Sequence, residues 1–228
     1  MVLKIARRGA SGYCPENTMA AFDKAVEIDC DTIEFDIHKT KDGHIIVMHD
    51  DNVQRTTDGL GNIKDLTLKE IKMFHEPNGE SVPTLQGVFD LLKNKKRMML
   101  DIKDQNMEKE VLSLVNDNDL EEYVIIDSDF PDVVKKIKKM NPKIHVYLGG
   151  VTKDNYKSAV QEAKIIDAEM IKVENILVNE DLVKEAHNNG IGVYVWGAEE
   201  TNDIKNMQDL DVDAIVCDFP DKIPEFSF

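Results

Sequence analysis

Residues 32–38 read TIEFDIH, and the alternation in this stretch decides the fold. Successive side chains of a β-strand point to opposite faces, so Glu34, Asp36 and His38 share one face, and the apolar residues that alternate with them share the other. A strand at the protein surface would show the same pattern. In a barrel covered by helices, the polar face must instead point inward, where two carboxylates are costly unless cations pair with them.

Short apolar or β-branched runs recur along the rest of the chain, with helical segments between them. The runs begin near Leu3, Thr32, Met98, Tyr123, Ile144, Glu169, Ile191 and Asp213. Helical periodicity is clear in residues 84–92 and 133–140. This order predicts a (β/α)₈ TIM barrel with right-handed crossovers, and a doubly wound open sheet is the alternative. Because no linker interrupts the pattern, we expect residues 1–228 to form a single barrel domain.

The connection after the second run is far longer than a usual loop. A small insertion at the C-terminal end of a barrel strand is expected to build part of the active-site mouth. It contains an Asp-Gly pair at residues 42–43, which is a two-residue hairpin signal. If only this pair forms the loop, His49 lies opposite Asp36. A β-bulge would shift this register by one residue.

Composition excludes several classes of protein. The net charge of −16 argues against a nucleic-acid partner, because phosphate backbones require a basic face. No apolar stretch approaches the roughly 20 residues of a membrane span. The chain begins with a strand-like run, so we expect no signal peptide. Cys14, Cys30 and Cys217 show no metal-ligand spacing and predict reduced thiols in a cytoplasmic protein. The sequence carries no sign of the oligomeric state.

The third run supplies another charged pair. Residues 98–103 read MMLDIK, which places Asp101 and Lys103 on one face. A structural ion pair is the simpler interpretation, but charged residues at the C-terminal ends of barrel strands are typical of catalytic sites. Asp101, Glu34 and Asp36 together suit a hard cation such as Mg²⁺ or Ca²⁺. Since a metal and a lysine both act on phosphoryl oxygens, the pattern predicts phosphate-ester chemistry.

The first run ends in RRGASGY at residues 7–13. Arg7 and Arg8, followed by two glycines, could cradle a phosphate. Alone this signal is weak, because arginines often close barrels through ion pairs. Either Asn17 or Thr18 is predicted to cap the helix that follows.

Together these motifs resemble the glycerophosphodiester phosphodiesterase family. Residues 6–18 are similar to its N-terminal signature, usually His-Arg-Gly followed by Glu-Asn-Thr. Residues 34–57 are similar to its second block, and residues 101–103 to its third, where the family usually has Glu-Ile-Lys. Residues 195–196 and 213–220 resemble its C-terminal signature, so the resemblance spans the chain in order.

This resemblance implies metal-dependent hydrolysis of a small-molecule glycerophosphodiester to glycerol 3-phosphate and an alcohol such as choline or ethanolamine. The cofactor it implies is one divalent cation, Mg²⁺ or Ca²⁺. The roles it implies are metal binding by Glu34, Asp36 and Asp101, acid/base catalysis by His49, phosphate binding by Arg8 and Lys103, and a place at the mouth for Trp196.

Arg7 departs from the pattern, since it stands where the family has its first catalytic histidine. Arginine keeps its proton, so it cannot act as a general base, although it can bind the phosphate. Loss of one acid/base partner costs about 10² to 10⁴ in rate. His38 is the candidate substitute, although we expect it to point toward the mouth. Two alternatives stay open: a non-catalytic phosphodiester-binding paralogue and a sphingomyelinase D-like lipid phosphodiesterase.

Overall fold

Eight parallel strands close into a barrel in the computed structural model, which describes residues 2–224. Its strands are β1 (Leu3–Ala6), β2 (Thr32–Lys39), β3 (Ile45–Val47), β4 (Arg97–Ile102), β5 (Val124–Ser128), β6 (His145–Leu148), β7 (Met170–Glu174), β8 (Gly192–Trp196) and β9 (Ala214–Cys217). The ring runs β1, β2, β4, β5, β6, β7, β8, β9, and β9 pairs with β1 to close it. Strand β3 lies outside the ring and pairs antiparallel with the end of β2. The predicted (β/α)₈ barrel is confirmed, with each barrel strand beginning within one residue of its predicted start.

Helices connect the barrel strands and cover the outer face. They are α1 (Met19–Ile28), α2 (Leu68–Ile71), α3 (Leu85–Leu92), α4 (Glu108–Asp117), α5 (Pro131–Met140), α6 (Tyr156–Ile166), α7 (Glu180–Asn188) and α8 (Thr201–Asp209). Of the two predicted caps, Thr18 is the one used, since its hydroxyl accepts a hydrogen bond from the Ala21 N–H at the start of α1. Among the described residues, none of the helices is both long and apolar enough to cross a membrane.

The apolar residues of β2 explain why its polar face points inward. Ile33, Phe35 and Ile37 are fully buried in the main core, which packs the outside of the barrel against the helices. Burying each of these side chains contributes about 1.5–3 kcal/mol. A smaller cluster, which includes Met99 and Tyr194, is formed by side chains on the other face of the strands. The carboxylates of β2 therefore lie on the inner face.

The hairpin register differs by one residue from the predicted one. In β2 and β3, Ile37 pairs with Val47, so Met48, not His49, lies opposite Asp36 and donates its N–H to the Asp36 carbonyl at 3.0 Å. The loop has three residues rather than two: Gly43 has a positive φ of 87°, but Asp42, which a two-residue type I′ turn would also place at positive φ, does not. The predicted pairing of His49 with Asp36 is therefore wrong.

Candidate active site

Three buried carboxylates meet on neighbouring strands at the inner face of the barrel. Glu34 and Asp36 lie on β2, and the parallel register pairs Asp36 directly with Asp101 on β4. One carboxylate oxygen from each residue lies within 4.8 Å of the others. The three side chains could therefore hold a metal ion together.

Two cations and an amide surround Asp36. Lys103 Nζ lies 2.9 Å from Asp36 Oδ1, and Arg8 Nε lies 3.2 Å from Asp36 Oδ2. The Asn17 amide donates a second hydrogen bond to Asp36 Oδ2 at 2.9 Å. Burial acts to raise the pKa of Asp36, but Lys103 and Arg8 outweigh it and lower the pKa to about 2. Asp36 is therefore ionised throughout the neutral range.

The pKa of Glu34 is shifted in the opposite direction from that of Asp36. It accepts a hydrogen bond from the Arg8 backbone N–H at 2.8 Å, but no lysine or arginine side chain pairs with it among the described residues. Burial, followed by repulsion from Asp36 and Asp101, raises the pKa of Glu34 to about 8. The three carboxylates together therefore lack one compensating positive charge.

Asp101 leaves a ligand atom available for that charge. Its Oδ2 lies 2.7 Å from Lys103 Nζ, whereas its Oδ1 is buried and has no hydrogen-bond partner among the described residues. An unpaired buried carboxylate oxygen is costly. Together with the raised pKa of Glu34, this atom shows that the donor set fits a hard divalent cation.

A second ion cluster adjoins the first and was missed by the sequence analysis. Lys172 on β7 places Nζ 3.1 Å from Asp101 Oδ2, 2.7 Å from Asp127 Oδ2 and 2.8 Å from Asp129 Oδ1. Burial acts to lower the pKa of Lys172, but the three carboxylates raise it well above its usual value. The signal was present, because β7 alternates Lys172 and Glu174 with apolar residues, as β2 does with its carboxylates.

His49 is held by a clamp of ion pairs in the insertion. Its Nδ1 donates to Asp50 Oδ1 at 2.7 Å, which leaves Nε2 as the free ring nitrogen. Arg55 binds Asp50 through Nε at 2.7 Å and Nη2 at 2.9 Å. The same guanidinium makes two bonds to Glu16, at 2.6 and 3.0 Å, and Glu16 also accepts from Arg8. This chain of contacts links His49 to the carboxylates.

All the predicted site residues line one cavity of about 270 Å³. They are Arg7, Arg8, Glu34, Asp36, His49, Asp101, Lys103 and Trp196. The cavity thus places three carboxylates, several cations and an imidazole around one space, which is an arrangement suited to a phosphate ester.

The sequence model of the glycerophosphoryl diester phosphodiesterase family matches residues 8–222. The chain belongs to this family. A glycerophosphodiester phosphodiesterase from Caldanaerobacter subterraneus subsp. tengcongensis is 34% identical, over 97% of this chain and 96% of that protein. A glycerophosphodiester phosphodiesterase from Bacillus altitudinis is 30% identical, over 95% of this chain and 94% of that one. The family therefore places the chain in a class of phosphodiester hydrolases.

Solved structures share the fold of this glycerophosphoryl diester phosphodiesterase family member. The glycerophosphodiester phosphodiesterase from Agrobacterium tumefaciens matches with a TM-score of 0.86 at 23% identity, covering 98% of this chain and 99% of that one. The Thermotoga maritima structure matches with a TM-score of 0.83 at 21% identity, covering 97% and 96%. At these identities the likeness extends to the barrel alone.

Arg7 places a guanidinium group in the wall of the cavity. Its Nη1 lies 3.3 Å from Asp218 Oδ1, which also accepts from the Ser11 hydroxyl at 2.8 Å. Burial opposes the positive charge, but Asp218 and Glu34 raise the pKa of Arg7 above its usual value. Arg7 is therefore a permanent cation in the wall of the cavity.

His38 does not line the cavity. It is buried, with Nδ1 at 2.9 Å from Asp104 Oδ2 and Nε2 at 3.1 Å from the His49 carbonyl. Both ring nitrogens are engaged, so the expectation that His38 points toward the mouth is wrong. The reason is Asp104, which follows β4 and reaches the end of β2. His38 instead supports the backbone that carries His49.

Proposed function

We propose that this protein hydrolyses glycerophosphodiesters to glycerol 3-phosphate and an alcohol, with one divalent cation, Mg²⁺ or Ca²⁺, as cofactor. The observation that carries the proposal is the buried group Glu34, Asp36 and Asp101, with Arg8 and Lys103 in the same cavity. Membership of the family supports the reaction class. The Oleispira antarctica phosphodiesterase, 23% identical with a TM-score of 0.87 over 96% of this chain and 94% of that one, was solved in complex with its product, sn-glycerol-3-phosphate.

The cationic side chains keep donors for the substrate phosphate. Lys103 donates two of its three N–H groups to Asp36 and Asp101, which leaves one N–H for the phosphate. Arg8 contacts carboxylates through Nε and Nη1, which leaves its Nη2 available to the phosphate. Among the described residues, Arg7 pairs with a carboxylate only through Nη1. When bound at the three carboxylates, the divalent cation supplies Lewis-acid stabilisation of charge on the phosphate.

His49 is the residue that we propose exchanges a proton during the reaction. Asp50 fixes its Nδ1–H, so Nε2 is positioned to protonate the oxygen of the leaving alcohol. Arg7 cannot accept a proton from the attacking water, but it can stabilise negative charge on the phosphate. We therefore propose turnover that is slower, by about 10² to 10⁴, than in a site with both histidines.

The test is an assay of glycerol 3-phosphate release from glycerophosphocholine, with Mg²⁺ or Ca²⁺ and with a chelator. We expect the chelator to abolish release, and Glu34→Gln and Asp36→Asn to lower it more than about 100-fold. Glu180→Gln removes a carboxylate from an exposed ion pair with Lys184 on α7 and serves as the control. Parental rates in the two site variants would refute the proposal.

A non-catalytic phosphodiester-binding protein is the second candidate, and Arg7 is the observation that favours it. Such a protein would keep the metal and phosphate ligands and lack the base. Saturable binding of glycerophosphocholine, without product even at high protein concentration, would establish this candidate instead.

A further inference from the structure

Lys172 occupies the centre of a second carboxylate group that shares one member with the proposed metal site. Its Nζ contacts Asp101 Oδ2 at 3.1 Å, Asp127 Oδ2 at 2.7 Å and Asp129 Oδ1 at 2.8 Å. The Lys172 side chain is 13% exposed, and those of Asp101 and Asp127 are 7% and 1% exposed. The ammonium is thus enclosed by oxygen atoms in the way that a bound cation is.

The oxygens around Lys172 are close to the geometry of a divalent-cation site. Carboxylate oxygens bind Mg²⁺ at about 2.0–2.1 Å and Ca²⁺ at about 2.3–2.6 Å, so the three oxygens would have to move inward by about 0.1–0.8 Å to bind Ca²⁺ and by about 0.6–1.1 Å to bind Mg²⁺. Asp127 Oδ1 is also buried and has no hydrogen-bond partner among the described residues. The group therefore offers an unused ligand atom in addition to the three that hold Lys172.

The backbone beside this group is shaped around it. A Cβ on Gly149 would lie 1.9 Å from Asp129 Oδ1 and 2.7 Å from Lys172 Cε, so a side chain there would displace both groups from their present contact. The Gly150 N–H donates to Asp129 Oδ1 at 3.0 Å. These contacts fix Asp129 toward Lys172 and show that the cluster is a built part of the barrel.

Asp101 connects the two groups through its two oxygens. Its Oδ2 is held by Lys103 and Lys172, whereas its Oδ1 is unpartnered. In two-metal phosphodiesterase sites, the ions lie about 3.5–4 Å apart, which is a spacing that one carboxylate can bridge. Here the Lys172 ammonium, rather than a second ion, lies beside Asp101 Oδ2.

We propose that the Lys172 ammonium takes the place of a second divalent cation, so that the protein binds a single metal ion and leaves Asp101 Oδ1 free for it. This inference rests on the proposed metal site at Glu34, Asp36 and Asp101. Lys172 is a positioning residue in this account, because it acts on the reaction through Asp101. Its fixed charge also repels any further cation from Asp127 and Asp129.

The test is the number of Ca²⁺ ions bound per chain, measured by calorimetric titration of the full chain. We expect one ion for the parent and two for Lys172→Ala, which leaves three carboxylates around a vacated space. Adding Asp127→Asn to Lys172→Ala should return the number to one. Lys184→Ala, which removes a positive charge from an exposed ion pair with Glu180, is the control and should bind one ion.

The outcomes separate this inference from the proposed function. A parent that binds no ion refutes the metal site itself. A parent that binds two ions, or a folded Lys172→Ala that binds one, overturns the role of Lys172 and leaves the metal site intact. If Lys172→Ala does not fold, Lys172→Asn decides in the same way, because its shorter, neutral side chain also removes the charge and vacates the space between the carboxylates.

Discussion

At the scale of single residues, Glu34 and Arg7 carry the unusual chemistry. The pKa of Glu34 is raised to about 8 by burial and by its neighbours Asp36 and Asp101, so it is protonated at pH 7 in the metal-free protein. Arg7 keeps its proton at every relevant pH. One residue therefore gives up a proton when a cation binds, and the other exchanges none.

The shifted pKa of Glu34 makes metal binding depend on pH. A metal ligand must be deprotonated, so binding below pH 8 has to displace the Glu34 proton. We expect the affinity for Ca²⁺ to fall about tenfold for each unit that the pH is lowered from 8 to 6, with about one proton released at pH 7. Titrations in buffers of different ionisation enthalpy measure both quantities. An affinity that is constant from pH 6 to 8 would contradict this account.

The role of Arg7 can be tested by placing there the imidazole that the family resemblance leads us to expect. We expect Arg7→His to raise kcat/KM on glycerophosphodiesters about 100-fold or more, mainly through kcat, and to give a pH profile with two ionisations. Arg7→Gln removes the same charge without adding a base and is the matched control, so it should not gain activity. An unchanged or lower rate for Arg7→His would show that another group is the base.

At the scale of elements, the hairpin that follows β2 carries His49, the acid/base residue that we propose. The sequence predicted this hairpin, but not its register, because the same Asp-Gly pair at residues 42–43 fits a two-residue and a three-residue loop. The backbone of Asp42 in the folded chain decides between them, because it lacks the positive φ that a two-residue type I′ turn requires. His49 nevertheless reaches the cavity, since it lies beyond the paired part of β3.

The ion pairs that hold His49 through Asp50 and Arg55 predict a specific loss of activity when Arg55 is replaced. Arg55→Met would release both Asp50 and Glu16, so Asp50, the partner that fixes the His49 tautomer, would no longer be held in place. We expect kcat on glycerophosphocholine to fall about tenfold or more, and much less on a p-nitrophenyl phosphodiester, whose leaving group needs no protonation. Arg55→Lys keeps the charge and should lose less. Equal losses on the two substrates would assign Arg55 to substrate binding or folding instead.

At the scale of the whole molecule, barrel closure brings together residues that the sequence keeps apart. The carboxylates of β2 and β4 could be predicted because each strand alternates polar and apolar residues, and because parallel strands end at the same face. Lys172 could not be assigned to Asp101, since they lie on β7 and β4 and meet only across the barrel interior. The link from Arg55 to Glu16 likewise depends on how the insertion folds over the mouth.

The molecule as a whole is strongly acidic, yet the cavity is lined by Arg7, Arg8, Lys103 and Lys172. The net charge of −16 repels an anionic substrate at a distance, so binding has to depend on these local cations. This division of charge agrees with the small phosphodiester that we propose as the substrate.

In the reaction that we propose, water hydrolyses a glycerophosphodiester at a metal site. The most direct measurement is ³¹P NMR of the products formed from glycerophosphoethanolamine in H₂¹⁸O with Mg²⁺ or Ca²⁺. We predict sn-glycerol 3-phosphate that carries one ¹⁸O on phosphorus, and no product after chelation of the metal. A cyclic glycerophosphate without label, unlabelled glycerol 3-phosphate, or labelled product at the same rate in the presence of a chelator would contradict the account.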